Sequence, residues 1–255
     1  MTKKLNVGIV GWKVGENSFG ATTSYLDFIQ EYCGIPHILD PSMDFREDID
    51  LLILPGGSDV DVQRYHEYPS YHVSKPDPFK EFFDRCLLPQ YIGARIPIFG
   101  ICRGFQTLAV HFGGGLIQHY MHEYSGLERN KLVHELSFTD HAKDMYQIYR
   151  MKVGDDAVPD FLSNNKYEVN SLHHQLVREE DIKEVFIPIA RYKGDHMKSL
   201  EAFIHRDLPI AGVQYHPEEL GYDELAVFLI EYLTKIYSNE ETKSFRSKSV
   251  ISAIS

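Results

Sequence analysis

The 255-residue sequence has few of the residues that build several common classes of protein. It contains three cysteines, Cys33, Cys86 and Cys102, an odd number without metal-ligand spacing, which argues against a disulfide framework and a cysteine metal site. No apolar run approaches the ~20 residues that span a bilayer. The apolar run near the N-terminus is too short to be a signal sequence. These absences predict a protein of the reducing cytoplasm.

Positive charge is also scarce. Lysine and arginine together number 26 against 37 aspartates and glutamates, a formal net charge of −11. Such a charge disfavours nucleic-acid backbones and anionic membranes as partners, so we expect a small molecule or a protein instead. Hydrophobic residues make up 43% of the chain, near the average of globular proteins, which predicts a packed core. The composition indicates one domain over residues 1–237 and a polar, flexible tail over 238–255.

Apolar runs and helical periodicity alternate along the first half of the chain. Alternation of this kind predicts an α/β fold whose mostly parallel sheet is flanked by helices. Later runs, including the mixed alternation of residues 131–151, favour an antiparallel extension of that sheet. The predicted strands are 5–11, 35–39, 50–54, 97–101, 185–190, 200–204 and 210–215, and the predicted helices are 22–32, 78–91 and 222–237. Ligands of such sheets bind beyond the carboxyl ends of the strands.

The segment Gly100-Ile101-Cys102-Arg103-Gly104 follows a short apolar run and precedes helix-forming residues. This arrangement is typical of a nucleophile elbow with cysteine in the position of serine, in which the two glycines allow close packing of the backbone. The N-terminus of the following helix favours thiolate over thiol at Cys102. The alternative is that Cys102 is a small buried hydrophobe. A base and an oxyanion site elsewhere in the chain decide between the two.

A candidate base lies at the end of the last predicted strand, in His216-Pro217-Glu218. Proline fixes the chain as it leaves the strand, so the carboxylate of Glu218 can hold one imidazole nitrogen of His216 while the other faces a nucleophile. A single histidine at a strand end is more often a polar edge residue. The presence of both His216-Pro217-Glu218 and the cysteine elbow in one α/β chain is what makes the prediction of a catalytic site specific.

Two adjacent histidines and two aspartates are further candidates for chemistry, but each pair also has a structural explanation. His173 and His174 could be metal ligands, but adjacent histidines of an extended segment point to opposite faces, and substrate contact or loop packing is the preferred interpretation. Asp59 and Asp61, which follow Pro55-Gly56-Gly57, could be catalytic carboxylates of another chemistry, but an Asx turn is the ordinary explanation. We expect neither a metal nor another cofactor.

Taken together, four segments resemble the class I glutamine amidotransferase-like family, and within it the γ-glutamyl-γ-aminobutyrate hydrolase-like branch, peptidase C26. They are Pro55-Gly56-Gly57-Ser58-Asp59-Val60-Asp61, Gly100-Ile101-Cys102-Arg103-Gly104-Phe105-Gln106, Val169-Asn170-Ser171-Leu172-His173-His174-Gln175 and Gly212-Val213-Gln214-Tyr215-His216-Pro217-Glu218. The resemblance implies a flavodoxin-like fold. It further implies that Cys102, His216 and Glu218 form a catalytic triad.

The same resemblance implies roles for other residues. The backbone N–H groups of Gly57 and Arg103 would form the oxyanion hole, each worth roughly 3–4 kcal/mol. Gln106 would contact the glutamyl group, and His173, His174 and Gln175 are the further candidates for substrate binding. Where the branch often has proline after Ser-Asp-Val-Asp, this chain has Val62, so the leaving-group pocket can differ.

Two functions are compatible with this triad. In the first, the chain alone hydrolyses a γ-glutamyl amide, glutamine or a γ-glutamyl amine, through a thioester. In the second, it is a glutaminase subunit that passes ammonia to a separate synthetase. A non-catalytic binding protein is disfavoured because all three triad positions are filled. The sequence leaves open the amine that is released and whether the chain forms a homodimer.

Overall fold

The N-terminal half of the chain folds as alternating strands and helices, as its apolar pattern predicts. The computed structural model describes residues 4–16, 18–120, 133–154, 158–164, 166–194 and 199–236. The strands are β1 Leu5–Val10, β2 Trp12–Gly15, β3 Ser18–Gly20, β4 Gly34–Leu39, β5 Leu51–Leu54, β6 Ile98–Ile101, β7 Leu116–Ile117, β8 Val133–Phe138, β9 Glu168–Asn170, β10 Leu176–Val177, β11 Phe186–Tyr192, β12 Leu200–His205 and β13 Ile210–Val213. The helices are α1 Thr23–Phe28, α2 Pro78–Phe82, α3 Leu88–Gly93, α4 Arg103–His111, α5 Asp140–Val153, α6 Glu179–Ile182 and α7 Glu224–Ile236.

Nine of the described strands form one mixed sheet in the order β4-β1-β5-β6-β13-β12-β11-β8-β9. The pairings from β4 to β13 are parallel, and those from β13 to β9 are antiparallel. The predicted α/β class, with a parallel sheet and an antiparallel extension, is confirmed. Strands β5, β6 and β13 are neighbours, so their carboxyl ends open at one edge of the sheet.

Both faces of this sheet are buried, which explains why its central strands are apolar throughout. Side chains alternate along β5, with Leu51 and Ile53 in one core cluster and Leu52 and Leu54 in the other. Helix α7 covers the first face with Phe228. Helix α4 covers the second, where the Phe105 and Phe203 rings stack with centroids 4.1 Å apart.

Two predicted helices are interrupted. The helix predicted over 22–32 is α1 followed by a π-helical turn, Ile29–Cys33. The helix predicted over 78–91 is α2, a second π-helical turn Phe83–Leu87, and α3. Pro89 explains the second interruption, because it has no N–H for the Arg85 carbonyl and its ring would collide with that carbonyl.

The antiparallel extension of the sheet also differs from its prediction. Of residues 131–151, only β8 is a strand, whereas residues from Asp140 onward form helix α5. Thr139 caps that helix by accepting a hydrogen bond from the N–H of Ala142 at 3.2 Å. The strand interpretation of 140–151 was therefore wrong, and the Thr139-Asp140 start signal was the available clue.

The predicted tail, 238–255, lies outside the described residues. Within the described ranges, none of the helices combines the length and the apolar character that a membrane crossing requires.

Close backbone packing joins the elbow to its neighbours. A Cβ on Gly100 would lie 2.7 Å from the Gly104 carbonyl carbon, and a Cβ on Gly104 would overlap the Leu54 carbonyl oxygen. A Cβ on Gly212 would approach the Gly100 carbonyl oxygen to 2.7 Å. Glycine at these positions lets helix α4 approach strands β5 and β6, which confirms the predicted role of Gly100 and Gly104.

We expect Gly104→Ala to destabilise the protein by about 3 kcal/mol, because the new methyl group must displace backbone rather than a flexible side chain. Urea unfolding followed by circular dichroism measures the effect. Gly93→Ala is the matched control, since a Cβ there meets nothing within 4 Å, and it should be neutral or slightly stabilising. Equal stabilities of the two variants would contradict the packing argument.

Candidate active site

Cys102 lies at the turn between β6 and α4 in a conformation that few side chains adopt. Its φ is 51° and its ψ is −104°, and it directly precedes helix α4. Its N–H donates to the Val213 carbonyl at 2.9 Å, which ties the turn to β13. A residue with positive φ at this strand-to-helix turn is the geometry of a nucleophile elbow. The side chain is nearly buried, with the residue 8% exposed.

His216 approaches Cys102 because their strands are parallel neighbours. Ile101 and Val213 are paired in register, and His216 follows three residues later. The Nδ1 atom of its imidazole lies 2.6 Å from Glu218 Oε1, and the side chain of Glu218 is almost completely buried. Since Nδ1 faces the carboxylate, Nε2 is the nitrogen that remains for the hydrogen bond with Cys102.

The environment favours the charged form of His216. Burial lowers its pKa, but hydrogen bonding and charge interactions with Cys102 and Glu218 outweigh burial and raise the pKa to about 10. The imidazole is therefore protonated at neutral pH. An imidazolium that is backed by a carboxylate and lies beside a cysteine is an arrangement that can activate a cysteine nucleophile.

Two residues that the sequence analysis did not single out hold this histidine. The side-chain amide of Asn170 bridges the His216 backbone, accepting from its N–H at 2.9 Å and donating to its carbonyl at 2.7 Å. The phenol oxygen of Tyr25 lies 3.5 Å from His216 Nδ1, and burial followed by the charge of Glu218 raises the pKa of Tyr25. Asn170 belonged to a segment quoted for the family resemblance. Tyr25 gave no signal, because it is an apolar-face residue of α1.

Gly56 and Gly57 line a cavity of about 500 Å³ beside His216. The other residues around it are Trp12, Thr22, Tyr25, Ser58, Asp77, Lys80, Leu172, Glu218 and Glu219. A Cβ on Gly56 would lie 2.7 Å from His216 Cε1, so glycine is required for the imidazole to occupy its place. Gly57 has a φ of 153°, which glycine adopts more readily than other residues.

The side chain of Arg103, next to Cys102, points away from this cavity into a buried ion-pair cluster. Its Nη2 atom lies 2.8 Å from Glu81 Oε1 and 2.9 Å from Asp84 Oδ2, and Nη1 donates to Thr107 Oγ1 at 3.1 Å. The guanidinium therefore fixes the start of α4 against the helix that carries Glu81. As the first residue of α4, Arg103 has a backbone N–H without a partner within the helix.

The candidate substrate-binding residues lie outside the cavity beside His216. Gln106 is buried and donates from Nε2 to Gln214 Oε1 at 3.2 Å. His173 is buried with Nδ1 3.0 Å from the Gln175 carbonyl oxygen. His174 faces the other way, with Nε2 3.2 Å from Asp59 Oδ1, so the predicted opposite orientation of the two histidines is confirmed. None of the four candidates, Gln106, His173, His174 and Gln175, is among the residues that line the described cavity, and their substrate contacts stay a prediction.

His173 belongs to a buried polar cluster with His134 and Glu201. His134 Nδ1 lies 2.7 Å from Glu201 Oε1, and His173 Nε2 lies 3.8 Å from the same oxygen. Across the part of the chain that the structure describes, this is the group whose ligand atoms are spaced closely enough to hold a metal ion, all within 4.8 Å of one another. The hydrogen bond of His134 to the carboxylate accounts for the shortest of these distances.

The Asx-turn interpretation is confirmed for Asp61 but not for Asp59, whose carboxylate binds residues far along the chain instead. Asp61 Oδ1 accepts from the N–H of Gln63 at 3.1 Å. Asp59 Oδ2 accepts from the N–H of Ser74 at 2.7 Å, which fastens the segment to the following loop.

Known proteins match the chain along most of its length. The family model described as Peptidase C26 matches residues 8–218. Protein NtpR of Enterococcus hirae is 29% identical over 202 residues, 76% of this chain and 79% of NtpR. YvdE of Lactococcus lactis subsp. lactis, assigned as a glutamine amidotransferase-like protein, is 31% identical over 170 residues, 67% of this chain and 66% of YvdE.

Solved structures share the fold. A Thermoplasma acidophilum protein assigned as one component of a GMP synthase superposes with a TM-score of 0.58 at 18% identity, covering 98% of this chain and 99% of that one. The predicted family resemblance is confirmed by the family match, and the sequence matches indicate a hydrolase-type enzyme related to the glutamine amidotransferases.

We expect Glu218→Gln to lower the pKa of His216 from about 10, because a neighbouring anion favours imidazolium and a neutral amide does not. An NMR titration of the His216 ring signals, assigned with a His216→Gln variant, measures the shift. Exposed Glu219 supplies the control, and Glu219→Gln should leave the titration unchanged. An unaltered His216 titration in Glu218→Gln would show that the carboxylate does not charge the imidazole.

Proposed function

The chain belongs to the peptidase C26 family, and from that premise we propose that it hydrolyses γ-glutamyl amide bonds through a thioester on Cys102. The observation that carries this proposal is the Cys102 elbow, which is hydrogen-bonded to the His216 imidazole, whose Nδ1 lies 2.6 Å from Glu218 Oε1. The substrate is glutamine or a γ-glutamyl amine.

The first half of the reaction forms the thioester. The Cys102 thiolate attacks the γ-carbonyl carbon, a C–S bond forms, and the carbonyl electron pair moves onto oxygen. The N–H groups of Gly57 and Arg103 stabilise that oxyanion. The His216 imidazolium then gives its proton to the amide nitrogen as the C–N bond breaks, and the amine leaves.

The second half releases glutamate. Neutral His216 takes a proton from water, and the resulting hydroxide attacks the thioester carbonyl. The C–S bond breaks, the thiolate is restored, and His216 is again an imidazolium. Glu218 keeps Nδ1 protonated throughout, so that Nε2 is always the nitrogen that exchanges the proton.

A second candidate is an ammonia-donating protein that works with a synthetase. One relative, named as a component of the glutamine-hydrolyzing GMP synthase of Thermococcus kodakarensis, is 32% identical over 143 residues, 56% of this chain and 62% of that protein. The triad is the same for both candidates. The wide cavity beside the triad favours a substrate with a group larger than ammonia on the amide nitrogen.

We expect Cys102→Ala and Cys102→Ser to lose at least about 1,000-fold in kcat on a γ-glutamyl amide without loss of stability, because the thiolate is the attacking group. Release of glutamate from a panel of γ-glutamyl amines, followed by mass spectrometry, measures turnover. Cys86→Ala is the control, since Cys86 is an exposed free thiol, and it should retain full activity. Near-normal turnover by either Cys102 variant would refute the mechanism.

The same panel separates the two candidates. An independent hydrolase should turn over a γ-glutamyl amine with larger kcat/KM than glutamine when the purified chain is assayed alone. A chain inactive on every γ-glutamyl amine, with glutamine hydrolysis only in the presence of a co-purified synthetase, would favour the ammonia-donating role.

A further inference from the structure

Lys80 is a buried lysine that neither the family resemblance nor the triad explains. Only 4% of its surface is exposed, although lysine is almost never fully buried without a partner. Its ammonium lies over the Trp12 ring, 5.2 Å from the centroid, and donates a hydrogen bond to the Gly56 carbonyl oxygen. We propose that Lys80 is a positioning residue that orients and polarises the Gly56–Gly57 peptide, so that the Gly57 N–H serves as an oxyanion donor.

The geometry of the peptide bond links the Gly56 carbonyl to the Gly57 N–H. The described backbone contains no cis peptide bond, and in a planar trans peptide the C=O and the N–H of the same unit point in opposite directions. The carbonyl of Gly56 and the N–H of Gly57 belong to one such unit. Holding the carbonyl on Lys80 therefore turns the Gly57 N–H away from the lysine and fixes its direction.

The position of the ammonium also explains why residue 57 is glycine. A Cβ on Gly57 would overlap Lys80 Nζ. The lysine occupies the space that a side chain at 57 would take, and so it packs against both residues that form the peptide. The other side of Gly56 is held as well, since its N–H donates to the Tyr25 hydroxyl at 2.9 Å.

Charge strengthens this hydrogen bond. Burial and the neighbouring Arg103 lower the pKa of Lys80 to about 8, so the amine is mainly protonated at neutral pH. A charged donor makes a stronger bond to a carbonyl than a neutral one and polarises the peptide, which makes its N–H a better donor.

The next residue completes the arrangement. Glu81 follows Lys80 on helix α2 and pairs with the Arg103 guanidinium at 2.8 Å. Two consecutive residues of α2 therefore contact the two residues that carry the proposed oxyanion donors. Lys80 binds the Gly56–Gly57 peptide, and Glu81 binds the side chain of Arg103, the residue after the nucleophile. The inference rests on the proposed function for its kinetic consequence, but the contact itself can be tested without turnover.

The kinetic test compares Lys80→Met, which keeps the length and packing of the side chain, with Lys80→Arg, which keeps a charged donor. We expect Lys80→Met to lose about 100-fold in kcat on a γ-glutamyl amide with KM within about threefold of wild type, since an oxyanion donor acts in the transition state. Lys80→Arg should recover at least about tenfold of that loss. Lys13→Met is the matched control, because Lys13 is exposed and lies over the Phe79 ring at 5.3 Å.

Alkylation of Cys102 by iodoacetamide separates the oxyanion role from an effect on the thiolate. This displacement at a saturated carbon creates no oxyanion. We expect its rate to fall less than about tenfold in Lys80→Met, well below the loss in kcat. Equal losses in alkylation and hydrolysis would show that Lys80 acts through the thiolate charge and would overturn the proposal, as would a Lys80→Met enzyme with normal kcat.

NMR tests the contact in the absence of any activity. Glycine labelled with ¹³C and ¹⁵N gives coupled carbonyl–amide signals only from consecutive glycines, which in this chain are 56–57, 113–114 and 114–115. Lys80→Met should shift the Gly57 amide nitrogen and leave the signals of Gly114 and Gly115 in place. An unmoved Gly57 signal would overturn the inference. A shifted Gly57 signal in a protein without γ-glutamyl amidase activity would leave the peptide contact standing and refute the proposed function instead.

Discussion

The strained backbone of Cys102 is the constraint on which the rest of the site depends. A non-glycine residue with φ of 51° is costly by roughly 1–3 kcal/mol and persists only where the surroundings enforce it. Here the enforcement is contact between backbones. Gly104 lets α4 press against the end of β5, and the Cys102 N–H is bonded to β13. The three neighbouring strands that lead to Gly56, Cys102 and His216 are thus locked around one turn.

Two groups of buried ion pairs lie next to the turn at Cys102. His216 and Glu218 form one pair at 2.6 Å, and Arg103 is held by Glu81 and Asp84. Removing one member of a buried pair costs about 3–5 kcal/mol, because the other charge stays in a medium of low polarity. Those pairs fix geometry more than they add stability. Hydrogen bonds hold the backbone of Gly56, whose N–H donates to the Tyr25 hydroxyl and whose carbonyl accepts from Lys80.

Much of the fold and of the proposed triad was predictable from the sequence, because the signals were local. Short apolar runs placed β1, β5 and β6, and the glycines on either side of Cys102 indicated the elbow. The opposite faces of His173 and His174 followed from strand alternation. In contrast, Lys80 gave no signal, since a lysine in a helical pattern ordinarily lies at the surface. Its burial depends on Trp12 and Gly56, which come from other parts of the chain. Helix α5 and the second π-helical turn were missed because the Thr139 cap and Pro89 were given too little weight against periodicity.

The central claim is that Cys102 carries the γ-glutamyl group during the reaction. Rapid acid quenching of the enzyme with a γ-glutamyl amide during the first turnover, followed by peptide mass spectrometry, tests it most directly. We expect a γ-glutamyl thioester on the peptide that contains Cys102. Turnover with no acyl group on Cys102 under any quench time, or with the group on Cys33 or Cys86, would contradict it.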